Sequence, residues 1–190
     1  MPALKVSKEA EEDKNARQLV TVTQISTLSN GVLCINANFM KPEKSASILY
    51  RVADSTGNTN AITLASEADG KLVLNYYDSS KTIKKAEIIP ADDFETNNWY
   101  SLSIKMDIKT KKTVLTVDNN EFSFISGIDI TNLTRAYDTI ATSPAVHYMD
   151  NIVVYQDTAK RIDAAEDIVV VTVYGTNPKL DGTNLLKINP

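Results

Sequence analysis

The sequence predicts an all-β domain made of antiparallel strands, and three observations lead to this prediction. The run from Tyr100 to Ile108 alternates apolar with polar residues, as a strand does when it buries one face and exposes the other. About a dozen short runs of this kind follow one another, with turn residues at the spacing typical of a β-sandwich or barrel. After residue 18 the chain has no amphipathic helix of useful length, which a parallel α/β fold would need after nearly every strand.

The first 18 residues carry balanced charges and little apolar surface. Residues 7–17 are therefore compatible with a short exposed helix and equally with a loose arm. Short strands follow, each ended by turn residues such as Gly, Pro, Asp or Asn. We expect these strands at residues 19–25, 32–40, 47–53, 61–65, 72–77 and 83–89.

Residues 98–118 give the clearest element, which is predicted to be a long antiparallel hairpin. Its first strand is the alternating run described above, its tip is the charged segment 109–112, and its second strand ends at Asp118. We expect further strands at residues 121–125, 136–142, 146–155 and 168–174. Because the last of these is continuously apolar, it should be paired within the fold or with a neighbouring molecule.

Composition excludes several classes of function. The net charge of −4 gives no electrostatic footprint for nucleic acid or for an acidic membrane. Cys34 is the only cysteine and His147 the only histidine, so the chain can form neither an internal disulfide nor a Cys/His zinc site. No stretch approaches the ~18 apolar residues of a membrane span, and we expect no signal peptide at the N-terminus.

Three short motifs together resemble a known pattern. They are Asn98-Trp99-Tyr100-x-Leu102-x-Ile104-x-x-Asp107, the strand Thr113–Asp118 with its turn, and the late run Tyr148-Met149-Asp150-Asn151-Ile152-Val153-Val154. In these motifs the chain resembles the concanavalin A-like lectin/glucanase superfamily, in its laminin G-like branch. The resemblance implies a jelly roll of two curved antiparallel sheets that binds glycans or proteins, often with calcium nearby. At the end of the hairpin the chain departs from the pattern, since Asn119-Asn120 replaces the usual glycine.

The resemblance covers about residues 19–156 and divides the chain into three parts. Residues 1–18 are the charged arm or short helix, residues 19–156 are the jelly-roll sandwich, and residues 157–190 are a linker, an additional strand and a tail.

The catalytic patterns of related enzymes are missing from the sequence. Retaining glucanases of this superfamily carry a strand with acidic residues spaced Glu-x-Asp-x-x-Glu, which supplies the two carboxylates that flank the scissile bond. The chain has no such strand, and it has no G-x-S-x-G segment that would present a nucleophilic serine. We therefore expect a protein that is not an enzyme.

Exposed aromatic residues are the candidates for ligand contact, because pyranose rings stack on flat aromatic faces. Trp99, Tyr77 and Tyr137 lie off the main apolar alternation or near strand ends, and they are therefore the candidates for such contact. Trp99 faces opposite to Tyr100 in the predicted strand. The alternative for all three residues is that they pack as part of the core or its rim.

Asp150 and Asn151 are the candidates for a calcium site, at the position of the late Asp-Asn in the resembled family. Strand parity puts Asp150 on the same face as Tyr148 and Ile152, and a carboxylate among such residues requires compensation. A calcium ion is one possible compensation. Hydrogen bonds from backbone amides or a nearby lysine are the other.

Two functions remain open at this stage. In the first, the chain is an extracellular or cell-surface module that binds glycans of cells or matrix. In the second, it is a structural subunit of a virion or surface layer, such as a decoration or fibre protein. Its partners would then be other protein subunits, contacted in a homo-oligomer or larger assembly through residues 1–18 and 168–190. The expected lack of a signal peptide favours the second function.

Overall fold

A computed structural model describes residues 4–8, 20–23, 30–54, 60–129, 133–139 and 145–157. Across these ranges the secondary structure consists of strands, and no helix long and apolar enough to cross a membrane occurs in them. The strands are β1 Leu4–Lys8, β2 Val20–Thr23, β3 Val32–Met40, β4 Ser47–Asp54, β5 Asn60–Ser66, β6 Leu72–Tyr77, β7 Ile83–Ile89, β8 Trp99–Asp107, β9 Lys112–Val117, β10 Asn120–Ile125, β11 Leu133–Thr139 and β12 Ala145–Asp157.

The strands form two six-stranded antiparallel sheets. The first sheet has the order β1-β12-β3-β8-β9-β10, and the second has the order β2-β11-β4-β5-β6-β7. The predicted antiparallel, two-sheet jelly roll is thereby confirmed. The predicted hairpin is also present, since β8 pairs with β9 from Leu102 opposite Val117 to Met106 opposite Thr113.

The core lies between the two sheets and follows the alternation of the sequence. On β8, the side chains of Tyr100, Leu102, Ile104 and Met106 are at most 4% exposed, whereas Trp99 is 42% exposed. From the second sheet, the buried Leu64 and Leu74 belong to the same core. Strand β8 therefore buries one face, as its period of two requires.

Stacked aromatic rings close one end of the sandwich. Tyr100 lies between Phe39 and Phe94, with ring centroids 5.4 Å and 5.0 Å away. The hydroxyl of Tyr100 accepts a hydrogen bond of 2.7 Å from the backbone N–H of Glu95. The loop that precedes β8 is thus anchored to the core directly before Trp99.

The two sheets are joined at one corner by close backbone contact. The Gly127 N–H donates to the carbonyl oxygen of Tyr77 at 3.1 Å. A Cβ at position 127 would lie 2.1 Å from the carbonyl oxygen of Asp78, so only glycine fits between these segments. This contact fixes the edge strands β7 and β10 relative to each other.

The structure adds to the sequence prediction at the N-terminus. Residues 4–8, part of the segment assigned to an arm, form β1 and pair with residues 145–149 of β12. Most of the predicted arm or short helix at 7–17, and the predicted strand at 168–174, lie outside the described residues.

Candidate functional site

An exposed row of apolar and aromatic residues crosses the outer face of the first sheet. Trp99 opens β8 opposite Met40, the last residue of β3, and Met40 is in turn opposite Tyr148 of β12. Trp99 is 42% exposed, and the other two side chains are half-buried. Trp99 points outward because the next residue, Tyr100, points into the core.

A polar row runs beside the aromatic row on the same face. Asp150 on β12 lies opposite Asn38 on β3, and Asn38 lies opposite Ser101 on β8. The exposed Ser101 donates from its backbone N–H and its hydroxyl to Oδ1 of Asp118, at 2.8 Å and 2.9 Å. This bifurcated contact fixes the Asp118 carboxylate at the end of the row. We call the two rows together the Trp99 platform: Trp99, Met40, Tyr148, Asp150, Asn38, Ser101 and Asp118.

The platform combines two kinds of contact that suit a sugar. An exposed indole offers a broad flat surface for the apolar face of a ring. Amide, hydroxyl and carboxylate groups in the next row can exchange hydrogen bonds with the hydroxyl groups of that ring. Small-ligand sites usually combine an aromatic or apolar surface with a small number of polar groups.

Asp150 and Asn151 form a β-bulge in β12. The register with β3 shifts between Asp150 and Val153, and Asn151 has a φ of 51°. The backbone N–H of Asn151 donates to Oδ1 of Asp150 at 2.8 Å. Asparagine tolerates this left-handed conformation better than most residues, which accounts for its position here.

The bulge overturns the parity argument for Asp150. Before it, Ala145, His147 and Met149 point into the core; after it, Ile152 and Val154 do. The extra residue inverts the alternation, so Asp150 does not share a face with Ile152 as the sequence predicted. The carboxylate is on the outer face, where it needs no buried countercharge.

The side chains around this bulge, as far as the structure describes them, supply few of the ligands that the predicted calcium would need. Calcium takes six to eight oxygen ligands. Within the described ranges, no group of three or more His, Cys, Asp or Glu side chains could hold a metal ion. One oxygen of Asp150 already accepts a hydrogen bond, and Asn151 is exposed. A calcium ion at Asp150 and Asn151 stays a prediction.

The other two aromatic candidates lie on the second sheet, away from Trp99. Tyr77 ends β6 and is half-buried, and its carbonyl accepts the bond from Gly127. Tyr137 is in β11 opposite Arg51, and its side chain is outside the described part of the structure. Strands β4 and β5 separate the strands of these two tyrosines. The structure thus brings Trp99 and Asp150 to one face and does not bring all three aromatic candidates together.

Two groups with nucleophilic or acid–base chemistry are buried. His147 has no exposed surface, and Cys34 is 4% exposed. Burial raises the pKa of the Cys34 thiol, although a hydrogen bond with Tyr155 acts in the opposite direction. A buried thiol with a raised pKa is a poor nucleophile. Their burial suits structural roles for both residues.

Most residues of the Trp99 platform were not found from the sequence. Tyr148 and Asn38 each stand on the polar side of an alternating strand, which is the only signal that they carry. Their place on the same face as Trp99 depends on β12 pairing with β3 and on β3 pairing with β8, and these strands are far apart in the chain.

Comparison with known proteins supports the fold. No family model matches the chain, and no curated protein does. Among solved structures, a sialidase aligns with a TM-score of 0.61 and 12% identity over 81% of this chain, but this chain spans only 15% of the sialidase. An alginate lyase from Pseudomonas aeruginosa aligns with a TM-score of 0.52 and 8% identity over 67% of this chain and 66% of its own. A toad ovary galectin, solved with thio-digalactose, has a TM-score of 0.52 and 13% identity over 72% of this chain and 98% of its own.

These three proteins are all concanavalin A-like jelly rolls, and they include both enzymes and a lectin. The fold alone therefore does not settle whether the chain is an enzyme. The strand order, the buried alternation and these structural likenesses agree that this chain has the concanavalin A-like jelly-roll fold, as the resemblance in its sequence implied.

Proposed function

We propose that the chain is a non-catalytic glycan-binding module that acts through the Trp99 platform. The observation that carries this proposal is the exposed indole of Trp99 beside a row of amide, hydroxyl and carboxylate groups on a rigid sheet. Sites built on strands hold their groups more accurately than sites on loops. Such a module would work outside the cell, on a cell surface or in a larger assembly that contacts glycans.

Two further points support binding without catalysis. The only histidine of the chain, His147, is fully buried and cannot reach a bound sugar as a general base. The sialidase likeness concerns only 15% of that protein, so it does not bring the hydrolase activity with it. The galectin likeness, to a protein solved with thio-digalactose, is to a lectin over nearly its whole length.

The alternative function, a structural subunit of a virion or surface layer, depends on the ends of the chain. Residues 1–18 and 168–190 would make the contacts with other subunits. These segments are mostly outside the described residues, and β1 pairs within the sandwich. Glycan binding is the preferred function because the exposed indole of Trp99 and the polar row beside it lie among the described residues.

The proposal is tested with a glycan array that includes plant, bacterial and animal glycans, followed by titration of the glycans that bind. We expect saturable binding that Trp99→Ala weakens about tenfold or more, which corresponds to about 1.4 kcal/mol of lost contact. Asn38→Ala should weaken the binding of the same glycans, since the Asn38 amide lies in the adjacent polar row.

Tyr77→Ala is the matched control, because Tyr77 is an aromatic residue on the other sheet. It should leave affinity unchanged. An array without hits would refute the function. Hits that Tyr77→Ala abolishes and Trp99→Ala spares would move the site to the second sheet and refute the platform. Melting curves of each variant verify that the fold is intact.

A further inference from the structure

A lysine is completely buried directly behind the Trp99 platform. Lys41 follows Met40 at the end of β3 and has no exposed surface. Its ammonium lies within hydrogen-bond distance of four oxygens. They are the carbonyl of Ser45 at 2.6 Å, the hydroxyl of Ser45 at 3.1 Å, the hydroxyl of Ser47 at 2.7 Å and the hydroxyl of Ser66 at 2.8 Å.

Among the residues that the structure describes, no carboxylate contacts this ammonium. Ser47 begins β4 and Ser66 ends β5, so both neutral partners belong to the second sheet. Glu43, in the same loop as Lys41, is exposed and acts on it only through longer-range attraction. Glu67, next to Ser66, is engaged by Lys71 and Lys85. Lys41 therefore holds its charge by hydrogen bonds to neutral groups, an arrangement that is costly unless each bond is made.

The backbone of the same residue supports the turn that leads into Trp99. The carbonyl of Lys41 accepts a hydrogen bond of 2.7 Å from the N–H of Asn97, which has a φ of 60°. Asn97 stands two residues before Trp99, and Met40, the residue before Lys41, pairs with Trp99. One residue thus links the second sheet, the end of β3 and the approach to the indole.

We propose that Lys41 is a positioning residue of the Trp99 platform: its ammonium ties the end of β3 to the second sheet, and its carbonyl thereby holds the turn that sets the indole. The role of Lys41 in glycan binding rests on the function proposed above. Its effect on the position of Trp99 does not require a ligand.

The charge of Lys41 makes this anchoring of the turn sensitive to mildly alkaline pH. Burial lowers the pKa of Lys41 to about 8, against a smaller opposing effect of Glu43. A neutral amine has two N–H donors in place of three, so it holds the four oxygens less firmly. The hydrogen bonds around the amine, and with them the position of the turn before Trp99, should therefore rearrange as the pH rises through this range.

The test uses the fluorescence of Trp99, which is the only tryptophan of the chain. In the wild-type protein, without any glycan, we expect the emission to shift to longer wavelength between pH 6.5 and 9, with a midpoint near pH 8. Lys41→Met should abolish this titration. Lys44→Met is the matched control, because Lys44 is an exposed lysine of the same loop, and it should retain the titration.

Ser66→Ala supplies a second, milder variant. It removes one oxygen that stabilises the ammonium, so the midpoint should move to lower pH. A wild-type emission that does not change over this range would overturn the proposal, as would a titration that survives Lys41→Met. If glycans are found, their affinity should fall about tenfold over the same range, the loss expected for one charged hydrogen bond. If the fluorescence titrates as expected and the glycan array gives no hits, the positioning role of Lys41 is supported and only the glycan function is refuted.

Discussion

Replacing Lys41 by methionine should change how the stability of the fold depends on pH. Methionine keeps the length of the stem and removes the charge, so it isolates the energetic effect of the buried ammonium. The pKa of Lys41 falls from 10.5 to about 8 because the residue is buried. Between these two values the unfolded chain binds more protons than the folded one, and stability therefore rises with pH across this window. Below pH 8 both states are protonated, and the full cost of the buried charge is present.

The size of the effect follows from the difference between the two pKa values. That difference, at about 1.4 kcal/mol for each pKa unit, corresponds to roughly 3 kcal/mol over the whole window. About 2 kcal/mol of this gain should be reached by pH 9.5. The replacement of a buried charge by an apolar side chain is often nearly neutral at neutral pH. The quantity to measure is therefore the free energy of unfolding of the wild type minus that of Lys41→Met, followed as a function of pH.

Urea unfolding of both proteins at pH 7, 8, 8.5, 9 and 9.5 measures this difference. Other lysines and the tyrosines titrate in both proteins, so their contributions cancel in the comparison. We expect the wild-type protein to gain stability relative to Lys41→Met as the pH rises. A difference that is constant with pH, or that moves in favour of the variant, would show that the Lys41 ammonium is not penalised in the fold and would refute the reasoning.

Three further predictions concern the corner, the bulge and the metal. Gly127→Ala should lower the free energy of unfolding by roughly 2–4 kcal/mol, as overpacking does, because the new Cβ would lie 2.1 Å from the carbonyl oxygen of Asp78; a variant as stable as the wild type in urea would contradict this contact. Asn151→Gly should be tolerated and Asn151→Val should cost about 1–2 kcal/mol more, since the position has a positive φ; equal melting temperatures would argue against the bulge. A chelator should leave the melting temperature unchanged, because the described residues contain no group of three or more acidic, His or Cys side chains that could hold a metal ion; a lower melting temperature that added calcium restores would establish the calcium site predicted at Asp150 and Asn151.

The strands could be predicted closely because their pattern is local. The predicted ranges 32–40, 72–77 and 83–89 coincide with β3, β6 and β7. In each case alternation and flanking turn residues are visible within a few positions. Strand β11 begins at Leu133, earlier than predicted, because the segment has weaker alternation and fewer apolar residues.

The candidate site could be predicted only in part. The outward direction of Trp99 followed from its parity against Tyr100, which is a local property, whereas the extent of its exposure is known only from the structure. The face of Asp150 in relation to Ile152 was predicted wrongly, because a bulge inverts the parity of a strand without a clear mark in the sequence. The burial of Lys41 was not foreseen either, since a lysine beside a proline at the end of a strand normally indicates solvent.

The sequence by itself determined the fold class, the approximate bounds of most strands and the outward direction of the indole. Each of these depends on the period of two along a single strand, which neighbouring residues establish. Only the tertiary structure decided that β12 pairs with β3 and β3 with β8, which places Tyr148, Met40 and Trp99 in one row. It also decided that three serines from a loop and two strands surround the ammonium of Lys41. Contacts of this kind join residues far apart in the chain, and they exist only once the two sheets have packed together.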